Sequence, residues 1–124
     1  MREIKFRSYD YDNNRFEFDV QDTYDDEISS SFLDVLEDDR FVVEQYTGIK
    51  DMNDVEIYEG DIIKFHVVIL SPDDKVGYVT YYPEYGYSIM LNRGSLLRQE
   101  YWASGDKHTI EVVGNIHEDE ELLQ

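Results

Sequence analysis

Glu44-Gln45-Tyr46-Thr47-Gly48-Ile49-Lys50-Asp51-Met52-Asn53-Asp54-Val55-Glu56-Ile57-Tyr58-Glu59-Gly60-Asp61-Ile62-Ile63-Lys64-Phe65 is the stretch whose reading decides the fold. It reads as two strands joined by a polar turn, then a Gly60-Asp61 corner that launches a third, strongly apolar strand. Working outward, residues 41–46, 55–58 and 61–70 are predicted strands, and Ser71-Pro72-Asp73-Asp74 is a turn with proline suited to its second position. Residues 76–81 and 85–90 form an aromatic hairpin with Pro83 marking its bend. The segment 92–108 reads either as a helical turn capped by Ser95 through Leu96, Leu97 and Tyr101, or as a loop. A last strand covers 109–116, and 118–123 is a short helical end or a loose tail.

Toward the N-terminus, Ile4, Phe6 and Ser8 alternate with Lys5 and Arg7, and Phe16, Phe18 and Val20 alternate with Glu17 and Asp19. Two period-two runs around Asp10-Tyr11-Asp12-Asn13-Asn14 predict a β-hairpin. Acidic helix-start residues precede Ile28, Phe32, Val35 and Leu36 on one helical face, predicting an amphipathic helix over 25–38 against the low propensity of Ser29–Ser31. The fold class expected is mainly β (α+β), a small antiparallel SH3-like barrel with an N-terminal hairpin and a short helix. Within the single domain expected for 1–124, residues 1–40 are the hairpin and helix appendage, 41–118 the barrel and 119–124 a tail. Gly48, Gly60, Asp61, Gly77 and Gly114 are read as structural turn residues. Gly60 and Gly77 in particular belong where φ is positive or a side chain would clash.

A chain of 124 residues can bury one real core without disulfides or a structural metal. It has no cysteine, which removes thiolate catalysis, zinc-thiolate sites and iron–sulfur clusters. The start has no signal-peptide core, and the longest apolar run, Val67-Val68-Ile69-Leu70, is far short of the ~20 residues that span a bilayer. A cytoplasmic protein without membrane contact is expected. The formal net charge of −18 repels bare nucleic acid and attracts cationic partners. Direct nucleic-acid binding is therefore not expected.

Local chemistry is sparse. Asp10, Asp12 and Asn14 match the odd positions of a calcium loop, but Arg15 stands where glycine is needed and Gln21 where a bidentate carboxylate is needed. His66, His108 and His117 have no metal-ligand spacing. No nucleophile elbow, phosphate-binding glycine loop or dinucleotide fingerprint occurs, so no enzyme activity, catalytic residue, metal or cofactor is expected. Tyrosines are more informative. Tyr78, Tyr81, Tyr82, Tyr85, Tyr87, Tyr101 and Trp102 lie in one stretch, and form either core and strand packing or an interaction surface. Lys75, Arg93, Arg98 and Lys107 are too scattered among them for a base-stacking groove. The expected partners are a second copy of the chain, or a host or phage protein.

Three blocks carry a resemblance to the YopX family of phage and prophage proteins. They are Arg2-Glu3-Ile4-Lys5-Phe6-Arg7, then Gln45-Tyr46-Thr47-Gly48-Ile49-Lys50-Asp51 with Glu56-Ile57-Tyr58-Glu59-Gly60-Asp61-Ile62, and last Glu111-Val112-Val113-Gly114-Asn115-Ile116-His117-Glu118 with Glu121-Leu122-Leu123. Asn53-Asp54 stands where an Asn-Gly turn is usual, and Asp119-Glu120 replaces an Asn-Pro. The resemblance implies a mobile-element origin, a mostly β fold with an SH3-like barrel portion, and homo-oligomers. It transfers no catalytic residues. The leading expectation is a protein-binding or self-assembling module; the runner-up is an acidic decoy of a nucleic-acid-binding protein.

Overall fold

The computed structural model describes residues 3–22, 24–25, 30–67, 74–91, 94–103 and 108–123. Its strands are β1 Phe6–Asp10, β2 Arg15–Phe18, β3 Tyr24–Asp25, β4 Ser30–Ser31, β5 Phe41–Lys50, β6 Glu56–Tyr58, β7 Asp61–Val67, β8 Lys75–Tyr82, β9 Gly86–Leu91, β10 Leu96–Leu97 and β11 His108–Asn115. Two short helices, α1 Phe32–Glu37 and α2 Gln99–Trp102, and two 3-10 turns, Val20–Asp22 and Glu120–Leu123, complete it. The fold is mostly β and antiparallel, as the sequence predicts. Two compact units meet inside β5, Met1–Tyr46 and Thr47–Gln124. The division falls within a strand and not at Arg40, because residues 41–46 pair with β1.

In the first unit, β1 lies between β2 and the first half of β5. The hairpin turn at 11–14 is held by Asp10, whose Oδ1 accepts the N–H of Asp12 (2.9 Å) and Asn13 (3.2 Å) while Oδ2 accepts the Asn13 amide (2.7 Å). The Asn13 amide is the largest cause, ahead of the two main-chain N–H groups, holding the Asp10 carboxyl below its ordinary pKa. The carboxylate that resembled a calcium ligand thus organises the turn, and Asn14 takes the left-handed conformation at φ 54.

Simple alternation fails in β1. Arg7, Ser8, Tyr9 and Asp10 are all buried, whereas Ile4 is exposed. Arg7 can be buried because its Nε donates to Glu44 Oε1 at 3.0 Å and its guanidinium lies 4.4 Å over the Phe16 ring. The helix predicted over 25–38 is shorter. Tyr24–Asp25 pairs with Ser30–Ser31 and, among the described residues of this stretch, only Phe32–Glu37 is helical, in keeping with the serine run that disfavours helix. Residues 26–29, with Ile28, lie outside the described residues. Phe32 packs 5.1 Å from Phe6, while Leu33 and Leu36 are exposed.

The second unit is built on a five-stranded sheet, β10-β9-β8-β7-β11, curled into a half-barrel. Inward positions Ile63, Phe65, Val79, Tyr87, Ile89 and Ile110 form its core with Ile57 and Trp102. The strand predicted to 70 is described as far as Val67, and the turn at Ser71–Asp73 lies outside the described residues. The segment that read two ways resolves into β10 and α2, the latter starting after Arg98 and not at Ser95. In β11, Val112 pairs with Ile63 and Gly114 with Ile62, so Val113 is the extra residue of a bulge. Glu120–Leu123 packs on β8 and is no loose tail.

The residues read as turn formers hold backbone in several ways. Gly48 lies within β5, not in a turn, at φ 85. Gly60 has φ 84, donates to Val79 O (2.8 Å) and accepts from Ile116 N (2.9 Å), while Asp61 Oδ2 accepts Tyr58 N at 2.8 Å. Gly77 sits mid-strand, where a Cβ would collide with the Met90 carbonyl and approach Ile89 Cγ2 to 2.8 Å. A Cβ at Gly114 would meet Asp119 Cβ at 2.9 Å, blocking the final turn. Gly60→Val should cost about 1–3 kcal/mol, since a β-branched residue is strained at that φ. Urea unfolding checks this; an unchanged midpoint would mean the corner relaxes.

Candidate functional site

Sequence reasoning placed seven aromatic residues on one candidate surface, and the structure divides them. Trp102 is fully buried and Tyr87 nearly so, which removes both from an exposed face. The Trp102 indole N–H donates to Tyr87 O (2.8 Å), and the Tyr87 N–H donates to Gln99 Oε1 (2.9 Å). These two side chains of α2 serve the edge of β9 as a neighbouring strand would, beyond the two residues of β10. Trp102 is drawn inward because its ring fills the core and its one polar atom finds a partner there.

Tyr78 and Tyr82 are half-buried, on the sheet face opposite Val79 and Tyr87. Tyr81, Tyr85 and Tyr101 are 51%, 43% and 58% exposed. Tyr81 pairs across the strands with Tyr87, ring centroids 5.1 Å apart, and extends the core row past its rim. Tyr85 lies in the β8–β9 turn beside Tyr82, under the Arg98 guanidinium at 4.9 Å. Tyr101 stacks on the His108 ring at 6.3 Å and 7°. A shallow cleft of about 500 Å³ is lined by Leu96, Leu97, Arg98, Glu100 and Tyr101. Among its described lining residues, Arg98 and Glu100 carry opposite charges 3.7 Å apart beside Leu96 and Leu97. Arg98 was missed as a site residue because a lone arginine has no periodicity. Its partner Tyr85 is brought to it only by the β8–β9 hairpin.

A smaller cleft of about 270 Å³ involves Ile49, Met52, Trp102, His108 and Ile110. Beside it, the His108 Nε2–H donates to the Trp102 carbonyl, which sets the imidazole by structure. His66 Nδ1 lies 2.6 Å from Asp74 Oδ1, and Lys64 Nζ is 4.0 Å from Asp74 and 3.5 Å from Glu111. Lys64, Asp74 and Glu111 are partly exposed charges that link β7 and β11 to the residue before β8, and such surface ion pairs add little stability in water. The His117 main-chain N–H donates to Asn115 Oδ1 at 3.0 Å. The three histidines are separately placed, and no group of three or more metal-ligating side chains occurs among the described residues.

The polar residue that organises the second unit is Asp51, buried at the end of β5. Its Oδ1 accepts the N–H of Asn53 (2.8 Å) and Val55 (2.9 Å), and its Oδ2 accepts Val112 N (2.8 Å). One carboxylate closes the β5–β6 turn and covers the outer edge of β11, where Met52 N also donates to Ile110 O (3.0 Å). Asn115 does the same at the other end, its Oδ1 accepting from Glu118 N (3.0 Å) as well as His117 N. The most distinctive segments of the sequence therefore satisfy buried main-chain groups.

Residues 5–124 match the family model described as YopX protein. A solved structure, the crystal structure of protein EF1440 from Enterococcus faecalis, is similar with a TM-score of 0.60 at 21% identity, covering 100% of both chains. That likeness concerns the fold. No curated protein matches. Among the described residues, no helix is long and apolar enough to cross a membrane.

Proposed function

Because the chain belongs to the YopX family, we propose that it is a phage- or prophage-derived module that acts in the host cytoplasm by binding protein, without catalysis and without a cofactor. One observation carries the reading: Tyr81, Tyr85 and Tyr101 stay substantially exposed, and the latter two flank the cleft holding Arg98. Tyrosine and arginine are the side chains that most often anchor interfaces, since each brings large area and a polar handle at low entropic cost. A second copy of the chain is the first candidate occupant, and a host or phage protein the second. The test is light-scattering mass at physiological salt, with host-lysate capture, for the native chain and a Tyr81→Ser/Tyr85→Ser/Tyr101→Ser variant. The native protein should self-associate or retain one specific partner, and the folded variant should lose that contact. A folded variant that binds as the native chain does would overturn the reading.

The net charge of −18 favours a second reading, an acidic decoy for a basic nucleic-acid-binding protein. In that case the captured partner is basic and leaves the column as salt rises. Under either reading the chain itself does not bind nucleic acid. Fluorescence titration at low salt should show no binding at micromolar concentration. Salt-sensitive binding there would refute this.

A further inference from the structure

The helix α1 buries none of its residues. Phe32 and Val35 are half-buried; Phe32 packs 5.1 Å from Phe6, and the helix lies against the 3-10 turn Val20–Asp22. Leu33 and Leu36, three apart and so neighbours on one side of the helix, are 60% and 50% exposed. A helix of 6 residues is far shorter than the ~12–15 that hold a helix by themselves in water, and packing of an apolar side normally supplies the difference. Here both leucines are left to solvent.

The surroundings of these leucines carry one sign of charge. Asp34, Glu37, Asp38 and Asp39 are all exposed, and Glu37 stands four residues after Leu33, on the same side of the helix. Arg40 is the only cation in residues 32–40. It is turned to the chain's own groups, 3.5 Å from Asp38 Oδ2, 4.0 Å from Asp12 Oδ2 and 4.5 Å over the Phe41 ring.

Charge complementarity decides what covers this face. An anionic lipid surface, a nucleic acid or a second copy of this acidic chain is repelled here. A helix with an apolar side bordered by Lys or Arg suits both features: its apolar side meets the leucines, and its long cationic side chains cover their edges and reach the carboxylates. We propose that α1 is a docking face for a cationic amphipathic helix of another protein, seated on Leu33 and Leu36 and paired with Glu37, Asp38 and Asp39. The face lies in the first unit and shares no residue with the tyrosine surface. With the decoy reading it shares only that the partner is basic.

Fluorescence anisotropy tests it on the full-length chain, with a labelled synthetic peptide that repeats Leu-Lys-Lys-Leu-Leu-Lys-Leu. The native chain should bind this peptide. Leu33→Ser/Leu36→Ser, which leaves the net charge untouched, should bind it roughly tenfold or more weakly. Glu37→Gln/Asp39→Asn should also weaken binding at low salt, with the difference closing as salt rises, whereas Glu120→Gln/Glu121→Gln, the same loss of charge elsewhere, should not. A scrambled peptide of the same composition, without an apolar side, should bind roughly tenfold less tightly. Thermal melting confirms that the variants fold. No binding by the native chain at about 100 μM, a folded Leu33→Ser/Leu36→Ser that binds as the native chain does, or a scrambled peptide that binds equally would each overturn the proposal. A basic host protein held equally by the native chain and the leucine variant would overturn the docking face and leave the decoy reading in place. The Tyr81→Ser/Tyr85→Ser/Tyr101→Ser variant should bind the peptide unchanged; a loss there would put the contact on the tyrosine surface and overturn the assignment to α1.

Discussion

Truncation of Trp102 to alanine is expected to cost about 3–5 kcal/mol, the range for deleting a large buried ring. The indole is fully buried in the core of the second unit, so its removal leaves a cavity among Ile57, Phe65, Ile89 and Ile110 that rigid neighbours fill only in part. It also removes the donor to Tyr87 O. Trp102→Phe separates the terms: it refills most of the volume but leaves that carbonyl without the indole N–H, and should cost about 1–3 kcal/mol. With total stability of a domain near 5–15 kcal/mol, the alanine variant should lose a large part of its cooperative unfolding. The measurement is urea unfolding followed by far-UV circular dichroism. A Trp102→Ala cost below about 1 kcal/mol would show that the core collapses onto the gap.

The second large effect is expected at Arg7. Arg7→Met removes the guanidinium from the Glu44 carboxylate, whose side chain is 6% exposed, and breaking a buried pair from one side costs about 3–5 kcal/mol. Part of the loss should disappear when Glu44→Leu is added, because the buried carboxylate goes with it. A double variant as damaged as the sum of the singles would show that the two residues act independently.

These residues also mark where sequence reasoning stops. The hairpin at β1–β2 was legible because Asp10 and Asn14 are turn formers and the flanking runs alternate. Alternation sets Arg7 apart from Ile4, Phe6 and Ser8, together with Lys5, and carries no sign of its burial. In β1 residues of both faces are buried, and the charge is tolerated there with Glu44, 37 positions away, opposite it in the register and the Phe16 ring beneath its guanidinium. The tyrosine stretch was legible as aromatic surface in excess of a small core. Which rings go inside was not, since Tyr87 and Tyr81 occupy the same sheet face and differ only in distance from the rim.

What the amino-acid sequence by itself determined is the set of local decisions: a mostly β chain, its turns at Asp10–Asn14 and Asp51–Asp54, the corner at Gly60-Asp61, and a strongly acidic surface. Each follows from side-chain chemistry acting within a few residues, through φ preference, Asx hydrogen bonding and period-two hydrophobicity. Family membership was also readable there, because the blocks that carry it are the ones that hold buried backbone. Only the tertiary structure decided the long-range matters. It buried Arg7 against Glu44, turned Asp51 onto Val112, sent Trp102 into the core and brought Arg98 over Tyr85. Those outcomes depend on which strands become neighbours and on where a curled sheet ends. Strand pairing is a property of the assembled sheet, which no local window of the chain contains.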